Sequence, residues 1–328
     1  MTRITILAGG VGGAKFTRGV RELAATQPEL DLDITVVANT GDDMWLTGLR
    51  VCPDLDSIMY SLGEANDTNR GWGRAGESER VSGELTAYGV GWPWFTLGDL
   101  DLGTHIARAS LLRDGLSLTA ATARLAGRWN LGVTLLPATD DEVETTVEFV
   151  DASGETQVVH FEEWWVKHRA SVPARRFIQR GLPAATLDGT ASARAAIADA
   201  DVVLVAPSNP VVSIGTILTL PGIRAALATT SAPVVGLSPI IGGSPVRGMA
   251  DACLDAIGVE TSARAVGAHY GARSAGGLLD GWLVDTVDAA AVESLQAAGM
   301  RAAAIPLWMT DDDTTATMVR AALEMARG

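Results

Sequence analysis

Two cysteines, Cys52 and Cys253, are all that the 328-residue chain contains, and they do not form a CxxC pair. Their scarcity excludes a disulfide scaffold or a zinc finger and fits a reduced, cytoplasmic setting. Positive charge is also short: 25 Lys and Arg against 39 Asp and Glu leave a net charge of −14. A nucleic-acid backbone is therefore a poor main partner, because such partners select basic faces. Any anionic ligand has to be held locally, by backbone N–H groups, a few arginines or a metal ion, against the overall field. The apolar run in "MTRITILAGG" is too short for a signal peptide. Val202–Ile223 and Ala225–Val246 each run 22 residues without a charge, but three prolines interrupt each, so neither reads as a membrane helix. No repeat, low-complexity tract or long charge run is present. His105, His160, His168 and His269 show no metal-ligand spacing, and no G-x-S-x-G elbow offers a serine nucleophile.

What is present alternates short Val- and Ile-rich runs with amphipathic stretches, the pattern of a parallel α/β sheet. Strands are expected at Thr5–Leu7, Ile34–Ala38, Val133–Leu135, Val202–Val205, Val234–Leu237 and Leu283–Asp285, with a hairpin over Thr145–His160 turning at Asp151–Gly154. Helices are expected at Ala14–Ala25, Ile214–Leu227, Val246–Ile257, Ala289–Ala298 and Thr314–Ala326. The fold class is thus a Rossmann-like α/β core, a mostly parallel sheet with helices on both faces. Residues 1–56 and 130–328 would form that core. Residues 57–129, poor in strand signals and rich in Trp and Gly, read as a mostly helical lobe over the sheet's mouth.

The chemistry starts at "ILAGGVGGAKFTRG" (Ile6–Gly19). A dinucleotide fingerprint fails there, because Gly10-Val11-Gly12-Gly13-Ala14 ends on Lys15 and the acidic residue expected after the second strand is Asn39. A Walker A loop fails too. The physics of the turn survives: Gly10, Gly12 and Gly13 let backbone N–H groups approach an oxyanion, and Lys15, one of two lysines, adds charge. A tight turn with nothing bound is the plain alternative. Asp42, Asp43, Asp54 and Asp56 follow within 15 residues, the first two at the carboxyl edge of the second strand. Facing a phosphate turn, they suit Mg²⁺ held by carboxylates and substrate phosphate, although Asp also favours turns and helix starts. Two further strand ends, "APSNPVVSIG" and "GLSPIIGGSPVRG", offer Ser208, Asn209 and Ser213 in one turn and Gly242 and Gly243 in the other, with Arg247 beyond. Trp72, Trp92 and Trp94 can stack on a flat heterocycle or simply pack.

Taken in order, "GGVGGAK", "NTGDD", "CPDLDS", "RGWG", "LGDLDLGTHIAR", "LLPATDD", "HFEEWWV", "APSNPVVSIG", "SPIIGG", "GMAD" and "LWMTD" resemble the phospholactate transferases of deazaflavin-coenzyme biosynthesis, whose actinobacterial members act as phosphoenolpyruvate transferases. The motifs span the whole chain. The resemblance implies a homodimer dependent on Mg²⁺ and a guanosine diphosphate donor bearing phospholactate or phosphoenolpyruvate. The acceptor would be a deazaflavin precursor whose ribityl hydroxyl displaces GMP, on the way to coenzyme F-420. It implies Asp43 and Asp56 at the metal and hydroxyl, with Asp42 and Asp54 in support. The nucleotide would lie over the glycine turn and the two Ser/Pro turns, and the acceptor by Asp42, Asp54, Trp94 and Asp99. The family usually reads L-G-D-R-D; here Leu100 replaces the arginine, so either Arg74 or Arg108 substitutes or the acceptor differs. Heavy use of Ala, and of Arg over Lys, suggests a GC-rich genome and so favours phosphoenolpyruvate. A non-catalytic nucleotide-sugar-binding regulator on the same core is the rival reading. It would not be expected to combine "NTGDD", "PDLDS" and "HFEEWWV".

Overall fold

The computed structural model describes residues 1–328. β1 (Thr2–Ala8), α1 (Gly10–Thr26) and β2 (Leu32–Ala38) open the chain, followed by a short hairpin of β3 (Met44–Leu46) and β4 (Leu49–Val51). Four helices, α2 (Pro53–Leu62), α3 (Arg80–Ala87), α4 (Asp99–Arg113) and α5 (Leu118–Ala126), lead to β5 (Thr134–Pro137). The expected hairpin is β6 (Glu144–Val150) and β7 (Thr156–His160); a π-helical turn at Glu163–Lys167 and β8 (Ala174–Arg180) complete a three-stranded antiparallel sheet. Then come α6 (Ala191–Asp199), β9 (Val202–Val205), α7 (Ile214–Thr219), α8 (Ile223–Thr229), β10 (Val234–Leu237), and the two-residue arms β11 (Ile240–Ile241) and β12 (Ser244–Pro245). The chain ends with α9 (Ala250–Ala256), α10 (Ala263–Tyr270), β13 (Gly281–Val284), α11 (Ala291–Ala297), β14 (Arg301–Ala304) and α12 (Asp312–Arg327).

The principal sheet has seven strands in the order β14-β13-β10-β9-β1-β2-β5, and every pairing is parallel. Side chains alternate across it with period two. Ile4, Ile6, Val36, Leu204 and Val235 enter one core with α1, α2 and α12, while Leu7, Val37, Val203 and Val234 enter the other with α7, α8 and α10. Both faces are covered, as a parallel sheet requires. The strand order reverses between β1 and β9, so the crevice beyond their carboxyl ends is the topological switch point where such sheets hold ligands.

Several local expectations change. The single helix expected over Ile214–Leu227 is α7 and α8, broken where Pro221 precedes Gly222 at φ 75°. The second Ser/Pro turn does not run straight into a helix: Gly242 and Gly243, both at positive φ, form the tip between β11 and β12, and α9 begins only at Ala250. Strand β14, sequence RAAA, carries no strand propensity; pairing with β13 overrides it. Within 57–129 no residue joins the principal sheet, but α2 packs Leu55, Ile58, Met59 and Leu62 into the core beside α1.

Trp282 of β13 is fully buried and donates from Nε1 to the Ala263 carbonyl at 3.0 Å. Its ring fills space that Gly236 and Gly267 leave open, since a Cβ there would come within 2.7 and 2.9 Å of it. Trp282→Ala should cost about 3–5 kcal/mol of stability, read by chemical denaturation; a loss under about 1 kcal/mol would mean the second core collapses around the gap.

Candidate active site

A cavity of about 890 Å³ opens at the switch point, large enough for two ligands side by side. Its wall begins where β1 passes into α1. Gly9 admits no side chain: a Cβ would meet Ser213 at 2.6 Å and Asp54 Oδ2 at 2.7 Å. A Cβ on Gly12 would likewise come within 2.9 Å of the Pro207 carbonyl oxygen. The glycines therefore serve the approach of two turns as well as a ligand. The Ser208 hydroxyl donates to the Gly9 carbonyl at 2.7 Å and accepts from its N–H at 3.0 Å, tying the β9 turn to the β1 turn. Asn209 closes its own turn, its carbonyl oxygen accepting from Val211 and Val212. In the cavity wall, Ser213 keeps a hydroxyl without a partner, the N–H groups of Val11 and Gly12 begin a helix, and Lys15 makes no ion pair. Gly13 faces Ala8 and Ser208 instead of the cavity, and Gly242 and Gly243 do not line it; Gly242 donates its N–H to Asp288. These three glycines were expected at the nucleotide. Close packing and a hairpin tip account for them.

The floor is acidic. Pro53 starts α2 and places Asp54 and Asp56 in its first turn, where the helix dipole favours them. Asp54 accepts from Asn39 Nδ2 at 2.9 Å and stands beside Gly9, so this chain's own carboxylate already occupies part of the glycine turn. Asp42 and Glu162 join it in the cavity wall. Burial pushes Asp54 up to about 6, with Asn39 pulling the other way. Burial and the neighbouring Asp54 push Glu162 up to about 8 and raise Asp42 well above the carboxylate range. Asp43 does not line the cavity, contrary to its expected place at the reacting groups. It lies fully buried behind the wall, both its oxygens without a hydrogen bond and Arg50 Nη2 3.7 Å away; burial pushes it up to about 7 against that arginine.

Asp56 has a firm partner. Arg108, buried in α4, grips both its oxygens, with Nη1 at 3.0 Å from Oδ2. His105 Nδ1 lies 3.5 Å from the same oxygen and its Nε2 3.4 Å from Asp101 Oδ1, which also accepts from the Tyr60 hydroxyl at 2.6 Å. Burial would raise Asp101, but His105 and Tyr60 outweigh it and hold it below its ordinary value. Asp56, Asp101 and His105 offer ligand atoms within 4.8 Å of one another. The sequence reading passed over this trio, although Asp101 and His105 stand four apart on one helix and so share a face. Asp99, expected at the acceptor, is instead a half-buried residue outside the cavity, tied to Ser78 and the Val81 N–H; Asp101 takes the cavity side.

Aromatic rings make the remaining wall. Trp94, stacked on Trp92 at 4.8 Å, lines the cavity together with Trp72, while Trp92 stays behind. The π-helical turn adds another: it buries Trp164 completely and leaves Trp165 at the cavity, over Gly248. Trp308 completes the rim. Leu100 is 41% exposed, and neither proposed substitute for the family arginine reaches the cavity. Arg108 is spent on Asp56, and Arg74 packs over Tyr60 and Trp129 while donating to the Leu100 carbonyl at 3.3 Å.

The family described as 2-phospho-L-lactate transferase CofD matches residues 4–321. The chain is 55% identical over 324 residues to the phosphoenolpyruvate transferase of Streptomyces griseus, covering 99% of this chain and 98% of that protein. It is 52% identical over 326 residues to the phosphoenolpyruvate transferase of Nocardia farcinica, covering 99% and 95%. Among solved structures, the Bacillus halodurans protein BH3568, a member of the UPF0052 family, shares the fold with a TM-score of 0.60 at 17% identity, over 98% of this chain and all of that one. The chain belongs to the 2-phospho-L-lactate transferase family, and it is a transferase. No helix is long and apolar enough to cross a membrane.

The buried carboxyls make stability depend on pH in a defined sense. Asp43 and Glu162 hold protons more tightly in the fold than in the unfolded chain, so the native state loses stability as pH rises through about 7 and about 8. Buried His160, pushed down to about 4, opposes this only below its unfolded value near 6.5. In chelator the melting temperature should therefore fall between about pH 6.5 and about pH 8.5. A flat melting profile would contradict this reading of the acidic floor.

Proposed function

We propose that the protein transfers a phosphoenolpyruvyl or phospholactyl group from a guanosine diphosphate-linked donor to the ribityl hydroxyl of a deazaflavin precursor, releasing GMP. The observation that carries the reading is the joining of two unlike halves in one cavity. A glycine turn with free N–H groups and Lys15 meets a floor of uncompensated carboxylates, under a roof of tryptophans. Such a cavity suits a diphosphate, a cation and a flat heterocycle together. The family and its phosphoenolpyruvate transferase relatives support the donor class.

A hard, oxygen-ligated cation fits the residues present. Both Asp43 oxygens and Asp42 Oδ1 are buried without partners, which is costly unless a proton or cation joins them. Asp43, together with Asp56 through the lone pairs that Arg108 leaves free, would hold Mg²⁺, with Asp42 and Asp54 in support. When bound, the ion neutralises charge on the diphosphate. The chain's own part is positioning and electrostatics. The N–H groups of Val11 and Gly12, Lys15 and the Ser213 hydroxyl hold the diphosphate. Trp94 and Trp72 stack on the deazaflavin and direct its ribityl chain to the floor. The terminal hydroxyl oxygen bonds to the distal phosphorus, and the bond from that phosphorus to the bridging oxygen breaks. GMP leaves with the electron pair. Glu162, whose side chain has no hydrogen-bond partner, is the carboxyl group at the cavity that, once ionised, takes the hydroxyl proton. Because Leu100 contributes no charge, acceptor recognition would rest on the rings.

Mass spectrometry of the purified protein with Mg²⁺, the deazaflavin precursor and each guanylyl donor tests the reading. A new deazaflavin phosphodiester plus GMP is expected, and its mass names the transferred group. Asp43→Asn should lower kcat at least about a hundredfold while the protein stays folded. Guanine-nucleotide binding without product would instead favour a binding-only protein or another acceptor.

A further inference from the structure

Among the residues that line the cavity, five are carboxylates and only two, Lys15 and Arg247, carry a fixed positive charge. Neither has a carboxylate within ion-pair distance, and neither side chain donates a hydrogen bond inside the protein. Lys15 follows the glycine turn and belongs to the diphosphate. Arg247 enters from the segment after β12, and its guanidinium lies against Gly71 of the lobe so closely that a Cβ there would overlap it. Gly71 also holds φ at 79°, a conformation that side chains resist. The neighbouring Gly248 seats Trp165. Two glycines thus set an unpaired guanidinium across the seam between core and lobe, beside the aromatic wall.

We propose that Arg247 is the residue that recognises the carboxylate of the transferred group. The inference rests on the function proposed above. A donor of that class brings two anionic parts, a diphosphate and a carboxylate, into a cavity whose own charge is negative. The diphosphate has the glycine turn, Lys15 and a cation. The carboxylate has no other cation in the wall, and a guanidinium presents the paired N–H donors that match a carboxylate's two oxygens. Phosphoenolpyruvyl and phospholactyl groups both carry that carboxylate, so Arg247 selects for the acid and not between the two.

Steady-state kinetics with guanosine diphosphate-linked phosphoenolpyruvate, and inhibition by GDP, which lacks the carboxylate, test the assignment. Arg247→Gln should raise the donor KM about tenfold to a hundredfold, leaving the GDP inhibition constant and the acceptor KM within about twofold of wild type. Arg247→Lys should recover part of the loss, since the charge remains and the paired geometry does not. Gly71→Ala, which displaces the guanidinium, should shift the donor KM in the same direction. Equal weakening of GDP and donor would assign Arg247 to the diphosphate and overturn the proposal. A rise in acceptor KM alone, or no change, would overturn it as well. A wild-type protein that neither binds GDP nor turns over the donor would refute the function itself, before any variant is made.

Discussion

The Ser208 hydroxyl, bonded to both the carbonyl and the N–H of Gly9, holds together the two turns between which the cavity forms. Strands β1 and β9 are neighbours in the sheet, and the chain leaves them toward opposite faces, so their ends would diverge without a tie. One side chain satisfies both polar groups of Gly9, and the missing Cβ at Gly9 and Gly12 lets the turns touch. Ser213 and Asp54 then come to rest against the same backbone. The acid floor, the free N–H groups of α1 and the open hydroxyl of Ser213 are placed by this contact.

That contact creates an electrostatic conflict. Asp42, Asp54, Asp56, Asp101 and Glu162 crowd one end of the cavity with Asp43 buried behind its wall, and only Arg50 and Arg108 are buried among them. Arg108 neutralises Asp56, while Arg50 is shared between Asp43 and Glu144. Asp101 is held by His105 and Tyr60, whereas Asp42, Asp54 and Glu162 have no cation beside them, and burial raises all three. A negative pocket of this kind is unfavourable for the free protein. On the proposed reading it becomes favourable when a divalent ion and a phosphate enter together, because each offsets the charge that makes the other costly.

How much of this was legible in the sequence depended on whether the signal was local. The strands β9 and β10 were readable to the residue, since each is an unbroken apolar run bounded by turn residues. Strand β14 and helices α6 and α10 were not, because Ala-rich segments take their form from the neighbours they pack on. At the site, Asp42, Asp54 and Asp56 announced themselves by crowding within a short stretch, as did Lys15 by following a glycine turn and Ser213 by its place in a Ser/Pro-rich strand-end turn. Glu162, Asp101, His105 and Trp165 did not. Each stands in one of the quoted motifs, but their convergence comes from two separate elements, α4 and the π-helical turn with the residue before it, meeting over α2. Asp99 and Asp101 differ only in helix phase, which the motif does not carry: starting α4 at Asp99 turns that residue away from the cavity and the next acid toward it.

The same helix phase bears on Leu100. With Asp101, His105 and Arg108 committed to the inner face of α4, position 100 falls on the outer face, where its side chain is 41% exposed. An arginine there would have to reach around the helix end to meet a ligand, at the entropic cost of fixing a long side chain. Replacing it with leucine therefore removes a charge from the rim and leaves the acid floor intact. On the proposed reading, the donor half of the cavity is insulated from that change, since its contacts come from α1, the β9 turn and the segment around Arg247. The acceptor half depends on Trp72 and Trp94, whose hold on a flat ring comes from contact area and needs no charge at position 100. Divergence at the acceptor is thus tolerated by the architecture in a way that divergence at the glycine turn, where any side chain would collide with Ser213 or Pro207, is not.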